Sequence, residues 1–319
     1  MDYVIKKTTE LTEEEKRSLL DCFIEVFEHE RTLEEMYNQY INTPMGYSLH
    51  SLCIDKGQIV AAHTAFPSYY WVGNQKLKFY ITGDTMVRKG YRDGVVFLDI
   101  TMDLNSYMKK EGYSFIFGFP NENTYAVNKK TKQSVEIGRL DTYILPYRIG
   151  GIKKGLWWLN PLSKLFCELW LSCCSLMAKA NIFEPEIHKD DATYNMPRYK
   201  RLDGKYQHVK TDVHEFYYKL KVHEGIRTVF LIDVVGKSEK SFCSAANYII
   251  KHEKENFDLL MFVGYLPASI SKIGLIKIPR KYEPKHFYMT GKIYDNNLAP
   301  SLLYDINNWD VNLADYDLI

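Results

Sequence analysis

The sequence predicts a mixed α/β (α+β) fold in which mostly antiparallel sheets are flanked by helices. Three β-prone runs follow one another at 49–54, 59–72 and 76–87, and the short turns between them are typical of antiparallel hairpins. Residues 80–130 then predict a strand, a glycine-flanked turn, an amphipathic helix, a second strand and a second helix opened by Pro-Asn. Because a chain of 319 residues exceeds one average domain, we expect two domains.

The remaining elements of the first half follow from local signals. Residues 3–7 predict a short strand, and Thr12 with Glu15 forms a capping box that opens a helix. A second short helix is expected at 33–40, and residues 135–145 predict another strand.

The second half repeats the alternation of strands and helices without a glycine-flanked loop. Strands at 228–235 and 259–263 enclose an amphipathic helix at 238–255. Two short helices, at 212–221 and 273–276, and a strand at 287–294 complete it. Because the polar segment 184–204 suggests a boundary, we expect a first domain at 1–150, a helical linker at 151–204 and a second domain at 205–319.

Composition excludes several classes of partner. The 41 basic and 40 acidic side chains give no excess of positive charge for nucleic acid. The six cysteines show no zinc-ligand spacing, so we expect no metal, and scattered thiols suit a reducing cytoplasm. The N-terminal sequence has no apolar segment typical of a signal peptide, and we therefore expect a cytoplasmic protein.

One hydrophobic stretch, 155–183, raises the question of membrane contact. Asn160, Pro161, Lys164 and Glu168 interrupt it, which argues against a spanning helix. We favour an amphipathic helix packed between two domains, and a helix lying on a membrane surface is the alternative with the same apolar stripe.

The turn GYRDG at 90–94 precedes a helix that begins near Val95. Apolar side chains at 96, 97, 100, 104 and 108 place one stripe of this helix against a sheet. Its N-terminal amide groups could bind a diphosphate, although strand-turn-helix units with glycine also occur where nothing binds.

The order of elements, with GDTMVRKGYRDG before the central helix and FGFPNENTYAVNKK after it, resembles the GNAT acetyltransferase superfamily. It looks most like the twin-GNAT proteins of bacterial surface-glycan synthesis. The ending of this chain, NNWDVNLADYDLI, also resembles the final segment of those proteins. The resemblance implies two GNAT-like domains joined by a hydrophobic helical linker. It further implies an N-acyltransferase that moves an acetyl group from acetyl-CoA, as co-substrate, to a small primary amine such as an amino sugar or a nucleotide-linked amino sugar.

The resemblance also implies a coenzyme site. In the family, a loop with the pattern Arg-x-x-Gly-x-Gly/Ala between the fourth strand and the next helix holds the acetyl-CoA pyrophosphate. In this chain Arg92, Asp93 and Gly94 occupy that loop, which is one residue shorter, and Asp93 would have to point away from a diphosphate. We expect Asn121 chiefly as a helix cap at the strand-to-helix junction. The expected coenzyme-binding residues are Met86, Val87, Gly90, Arg92, Asp93, Gly94, Val95 and Asn121.

Two catalytic residues follow from the same resemblance. Asp84 would act as the general base if a bulge redirects its side chain, and a plain turn residue is the alternative. Tyr125 would protonate the coenzyme A thiolate, and a core tyrosine is the alternative. His63 is a second candidate base.

Other interpretations remain open. A relative that transfers an aminoacyl group from tRNA, or a non-catalytic scaffold whose short loop no longer accepts coenzyme A, would share this layout. For Trp309, Asp315 and Asp317 we expect a solvated acidic tail, with sugar binding or closure of a cleft between the two halves as the alternatives. The sequence does not indicate an oligomeric state.

Overall fold

The computed structural model describes residues 1–92, 95–190, 205–212, 214–283 and 285–315. These residues form two compact units, each assembled from segments that are not consecutive. Unit 1 contains Met1–Gly138, residues 186–190 and Tyr288–Asn308, and unit 2 contains Arg139–Pro185, the described part of Lys205–Phe287, and residues 309–315. The domain bounds 1–150, 151–204 and 205–319 stay a prediction.

The described residues form the following strands and helices. The strands are β1 (Asp2–Lys7), β2 (Leu49–Asp55), β3 (Gln58–Val72), β4 (Gln75–Val87), β5 (Phe115–Gly118), β6 (Val135–Leu145), β7 (Ile187–Lys189), β8 (Gln207–Lys210), β9 (Glu215–His223), β10 (Ile226–Val234), β11 (Leu259–Gly264), β12 (Ile276–Lys277) and β13 (Phe287–Ile293). The helices are α1 (Glu13–Phe27), α2 (Leu33–Ile41), α3 (Val95–Lys110), α4 (Glu122–Thr131), α5 (Ile149–Ile152), α6 (Asn160–Met177), α7 (Glu239–Glu253) and α8 (Pro300–Leu303).

Unit 1 is built on the sheet β1-β2-β3-β4-β5-β13, with β7 paired to the far end of β3. Its pairs are antiparallel apart from β4 and β5, which run parallel. One face packs on α3, whose Leu104 and Met108 contact Leu49 and Tyr80. Since successive strand residues point to opposite faces, Phe66 lies on the other face, where it meets Tyr40 of α2. The mixed α/β fold is thus confirmed.

Unit 2 repeats part of this arrangement around the sheet β6-β11-β10-β9-β8, with β12 beside β6. Strands β10 and β11 are parallel, and α7 connects them, as α3 connects β4 and β5 in unit 1. The core of this unit packs α6 and α7 against the sheet, with Leu171 and Phe242 among its fully buried side chains.

Two predicted helices of the second half are wrong. Residues 215–223 form β9, which pairs with β10 on one side and with β8 on the other, and four consecutive residues of it, Phe216 to Lys219, are buried. The predicted helix at 273–276 is a bend that leads into β12, whose register places Ile276 opposite Ile144.

The hydrophobic stretch 155–183 contains a 3-10 helix at Lys154–Leu159 followed by α6. Cys167, Leu171 and Cys174 are buried in the core of unit 2. Other apolar side chains of the stretch, including Trp157 and Leu176, are exposed. The packing of this helix between two domains stays a prediction. Within the described ranges, we find no helix whose length and apolar character would let it cross a membrane.

The ionised carboxylate of Glu239, at the start of α7, stabilises the fold, so we expect the protein to lose stability in acid. Its buried carboxylate accepts backbone hydrogen bonds from Lys179 (3.0 Å), Ser271 (3.0 Å) and Lys272 (2.9 Å). Burial raises the pKa of this carboxyl, but the backbone donors outweigh burial and lower the pKa to about 2. Because the folded pKa lies below the unfolded one, this stabilisation is present above the unfolded pKa and is lost as the pH falls towards 2.

We therefore expect the free energy of unfolding to decrease by about 2–3 kcal/mol between pH 5 and pH 2 through this group alone. Denaturant titrations across that range would measure the decrease. Glu239→Gln should remove this component, and a variant that keeps the same pH profile would contradict the assignment.

Candidate functional site

The carboxyl-terminal part of β4 contains a bulge that positions Asp84. The register with β3 shifts between the pairs Ala62↔Met86 and Thr64↔Gly83. Asp84 lies within the shift and has φ 42°, in the left-handed region that few residues other than Gly, Asn and Asp adopt. The bulge required to redirect this side chain is therefore present.

Asp84 is held by a buried tyrosine that the sequence had not singled out. The Tyr40 hydroxyl donates a hydrogen bond of 2.8 Å to Oδ2 of Asp84. Tyr40 is fully buried, and burial together with the neighbouring carboxylate raises its pKa well above the usual value. The hydroxyl therefore stays protonated and remains a donor to Asp84.

His63 lies opposite the same bulge. Its Nδ1 and Oγ1 of Thr85 are 2.6 Å apart, and burial lowers the pKa of the imidazole to about 4. His63 is therefore neutral at pH 7 and has a local hydrogen-bond partner, which is typical of a structural histidine. Its role as an alternative base stays a prediction.

Strands β4 and β5 separate immediately before the bulge. Their parallel register runs from Phe79↔Phe115 to Thr82↔Gly118, after which β5 ends and β4 continues to Val87. Among the described residues, no strand pairs with 83–87 on this side. Within the described ranges, the edge of this segment that faces away from β3 therefore has no neighbouring strand to pair with.

Gly118 marks the point of separation and has no room for a side chain. A Cβ atom built there would lie 2.2 Å from Oγ1 of Thr82. We expect Gly118→Ala to destabilise the fold by about 1–3 kcal/mol, because overpacking forces the two strands apart. Thermal unfolding would measure the effect.

The double variant Gly118→Ala/Thr82→Ala provides the matched control. Removing Oγ1 leaves the Thr82 Cβ at 3.5 Å, an ordinary contact, so most of the lost stability should return. A double variant no more stable than Gly118→Ala would contradict this explanation.

The connection from β4 to α3 passes through a 3-10 helix at Lys89–Tyr91. Nε of Arg92 donates a hydrogen bond of 2.8 Å to the Val87 carbonyl, which folds the loop back on the end of β4. Gly90 has open space where a Cβ would be, and Val95, the first residue of α3, is exposed. Asp93 and Gly94 lie outside the described residues.

At the other side of the separation, Asn121 caps α4. Its Oδ1 accepts a hydrogen bond of 2.9 Å from the Thr124 backbone N–H, so the predicted cap is confirmed. The Tyr125 ring stacks on Tyr288 of β13 with centroids 3.9 Å apart, and its hydroxyl donates to Glu136. Because β13 pairs with β5 on the side away from β4, these contacts place Tyr125 beside β13.

The structure brings Asp84, Met86, Val87 and Arg92 together at the end of β4, next to the start of α3. Sequence reasoning missed Tyr40, Thr85, Tyr288 and Glu136 as partners of the candidate residues. Of these, Tyr40 alone has a signal, because it lies on the buried stripe of α2.

Unit 2 has an equivalent separation of parallel strands, and its own C-terminal segment fills it. The parallel register ends at Leu231↔Phe262. Beyond it, the Tyr265 N–H donates to the Val311 carbonyl (3.0 Å) and the Leu313 N–H to the Val263 carbonyl (3.2 Å). Backbone groups at this separation are therefore already bonded within the chain.

Side chains of the same segment are buried as well. Nδ2 of Asn312 donates to Asp233 (2.7 Å), and Oδ2 of Asp315 accepts from the Asn312 N–H (3.0 Å). Trp309 is fully buried. The prediction of a solvated tail is wrong for Trp309 and Asp315, and Asp317 lies outside the described residues.

Comparisons with known proteins agree with this geometry. Residues 7–128, fewer than half of the chain, match the family model of the acetyltransferase (GNAT) domain. No curated protein sequence matches. Solved structures match across 92% of the chain, which shows a shared fold at low identity.

Three of these structures illustrate the likeness. A probable N-acyltransferase of unknown function from Enterococcus faecalis V583 has TM-score 0.59 and 11% identity, with 73% of that chain covered. A GCN5-related N-acetyltransferase from Kribbella flavida has TM-score 0.58 and 12% identity, with 71% covered. Eis1 from Mycobacterium abscessus has TM-score 0.54 and 11% identity, with 74% covered. The chain thus has the fold of N-acetyltransferase structures and carries a segment that matches the GNAT acetyltransferase domain.

Proposed function

We propose that the protein is an N-acyltransferase that moves an acetyl group from acetyl-CoA to a primary amine by direct attack, using unit 1. The observation that carries this proposal is the separation of β4 and β5 beside the Asp84 bulge, within the segment that matches the GNAT model. Beyond Thr82, β4 pairs with β3 and no longer with β5, and Asp84 lies in this part of the strand. Such a strand edge next to a carboxylate offers both backbone donors and a proton acceptor.

The residues present fit acetyl-CoA. β4 and β5 pack closely at Thr82 and Gly118, the last pair of their register. Beyond this pair β4 continues without β5, which leaves one edge of β4 for the coenzyme. Backbone N–H groups near Met86 and Val87 that point away from β3 would bind the pantetheine chain and the thioester oxygen. Gly90, Arg92 and Val95 stand where the diphosphate would meet the α3 N-terminus, and Asp93, Gly94 and Asn121 remain part of the proposed site.

The catalytic roles follow from the same geometry. Acetyl-CoA supplies an activated thioester carbonyl. Asp84, oriented by Tyr40, would accept the proton of the attacking amine, directly or through a water. Tyr125 remains our candidate for the proton donor to the departing thiolate, which would require its side chain to leave the contacts with Glu136 and Tyr288.

For the acceptor we propose an amino sugar, free or nucleotide-linked, as in twin-GNAT proteins of surface-glycan synthesis. The repeated strand-helix-strand unit in both halves supports the twin layout. Unit 2 is the less suitable coenzyme site, because residues 311–313 already use backbone groups at its strand separation.

Binding of acetyl-CoA provides the test. At about 100 times its dissociation constant the ligand should stabilise the protein by about 2.7 kcal/mol, which corresponds to a rise in melting temperature of about 5 °C or more. Thiol release with amino sugars as acceptors, and with their N-acetylated counterparts as controls lacking a free amine, would establish turnover. No thermal shift at millimolar acetyl-CoA would overturn the proposal.

A further inference from the structure

The 3-10 helix at Lys154–Leu159 and α6 together expose an unusually apolar surface. Trp157 is 70% exposed and Leu176 is 88% exposed. We call this surface the outer apolar face, and it consists of Trp157, Trp158, Leu162, Leu165, Phe166, Leu169, Trp170, Leu176 and Met177. Soluble monomers rarely expose contiguous apolar patches of this kind, which usually mark interaction sites.

The outer apolar face is separate from the face that α6 gives to the core. Cys167, Leu171 and Cys174 are buried at helical spacing on one side. At 100° per residue, the α6 members of the outer apolar face form one continuous arc that runs from the side opposite the core round to Trp170, which flanks the core side. The core of unit 2 therefore does not explain these side chains.

Lysines flank the outer apolar face along the chain. Residues 149–183 contain four lysines and a single acidic residue, Glu168, whereas the whole chain is nearly neutral at +1. Glu168 also accepts a hydrogen bond from the Tyr147 hydroxyl (2.9 Å). Lys153 and Lys154 precede the face and Lys179 follows it, whereas Lys164 lies on the side of α6 away from the face, over the Tyr147 ring.

We infer that the outer apolar face docks on an anionic lipid bilayer, with α6 lying in the plane of the interface. Exposed tryptophan and phenylalanine next to lysine match the polarity of the headgroup region, and the lysines match its negative charge. A second copy of the chain is a poorer occupant, because a symmetric contact would bring two positively charged faces together.

Vesicle flotation tests this inference. The purified protein should float with vesicles of phosphatidylcholine containing about a third phosphatidylglycerol, and far less with phosphatidylcholine alone. Trp158→Ser/Leu169→Ser should weaken binding at least tenfold, since two large exposed apolar side chains are lost. Val222→Ser is the matched control, because it removes an exposed apolar side chain near the end of β9 in the same unit, and it should bind as the parent does.

A second variant tests the contribution of the lysine charges to vesicle binding. Lys153→Glu/Lys154→Glu should weaken binding to anionic vesicles more than tenfold, because each lysine near such a surface contributes about fivefold. Sodium chloride at 0.5 M should also weaken it. Failure to float, equal flotation with neutral vesicles, or a stable dimer that excludes vesicles would each overturn the inference.

Discussion

Replacing Lys237 with methionine is expected to lower the free energy of unfolding by about 3–5 kcal/mol. Lys237 is only 4% exposed, and its Nζ contacts the carboxylates of Asp310 and, at 3.5 Å, Asp233. Removing one partner of a buried ion pair leaves the other charge without compensation in a poorly solvated place. The effect should therefore exceed that of most single substitutions.

Denaturant unfolding of the variant would measure this loss. Lys210→Met is the matched control, because Lys210 in the same unit makes a 2.8 Å ion pair with Glu215 at an exposed position. The control should change the free energy of unfolding by less than about 1 kcal/mol. Equal effects of the two variants would contradict the importance of burial.

The same variant has a second consequence. Lys237 connects β10 to the C-terminal segment through Asp310, one residue before the backbone bonds of 311–313. Limited proteolysis should consequently cut near residue 310 earlier in Lys237→Met than in the parent. Release of this segment would reopen the strand separation of unit 2, and unchanged protection would show that backbone pairing alone holds it.

Local signals predicted the elements of unit 1 well. The capping box at Thr12 starts α1, and the apolar spacing of α3 produces its buried stripe. In β9, by contrast, the charged and aromatic residues were interpreted as a helix because period 2 and period 3.6 differ little over so short a run. Burial against neighbouring strands decided the outcome there.

In the candidate site, too, features set by neighbouring residues could be predicted, whereas features set by distant pairs could not. The order of elements was enough to predict where β4 ends and α3 begins, since the connection is local. The Tyr40–Asp84 hydrogen bond joins residues 44 positions apart. In unit 2, the hydrogen bond between Asn312 of the C-terminal segment and Asp233 joins residues 79 positions apart. Periodicity carries no information about such long-range pairs, so neither could be predicted from one sequence.

Asp84→Asn is expected to lower kcat by about 10²–10⁴ while leaving acetyl-CoA affinity nearly unchanged. The asparagine has the same shape and tolerates the left-handed backbone at φ 42°, so the bulge should persist. It can still accept the Tyr40 hydrogen bond but is too weak a base to take a proton from an amine. The variant therefore separates the chemistry of the carboxylate from the structure of the strand.

Tyr40→Phe is the companion variant. It removes the 2.8 Å hydrogen bond to Asp84 but retains the carboxylate, so we expect a smaller loss, about tenfold in kcat. Thiol release at saturating acetyl-CoA over pH 5–9 would measure both variants, with melting temperature as a check on folding. If Asp84→Asn kept more than a tenth of the parent kcat, the base would have to lie elsewhere, and His63, opposite the bulge, would be the next residue to replace.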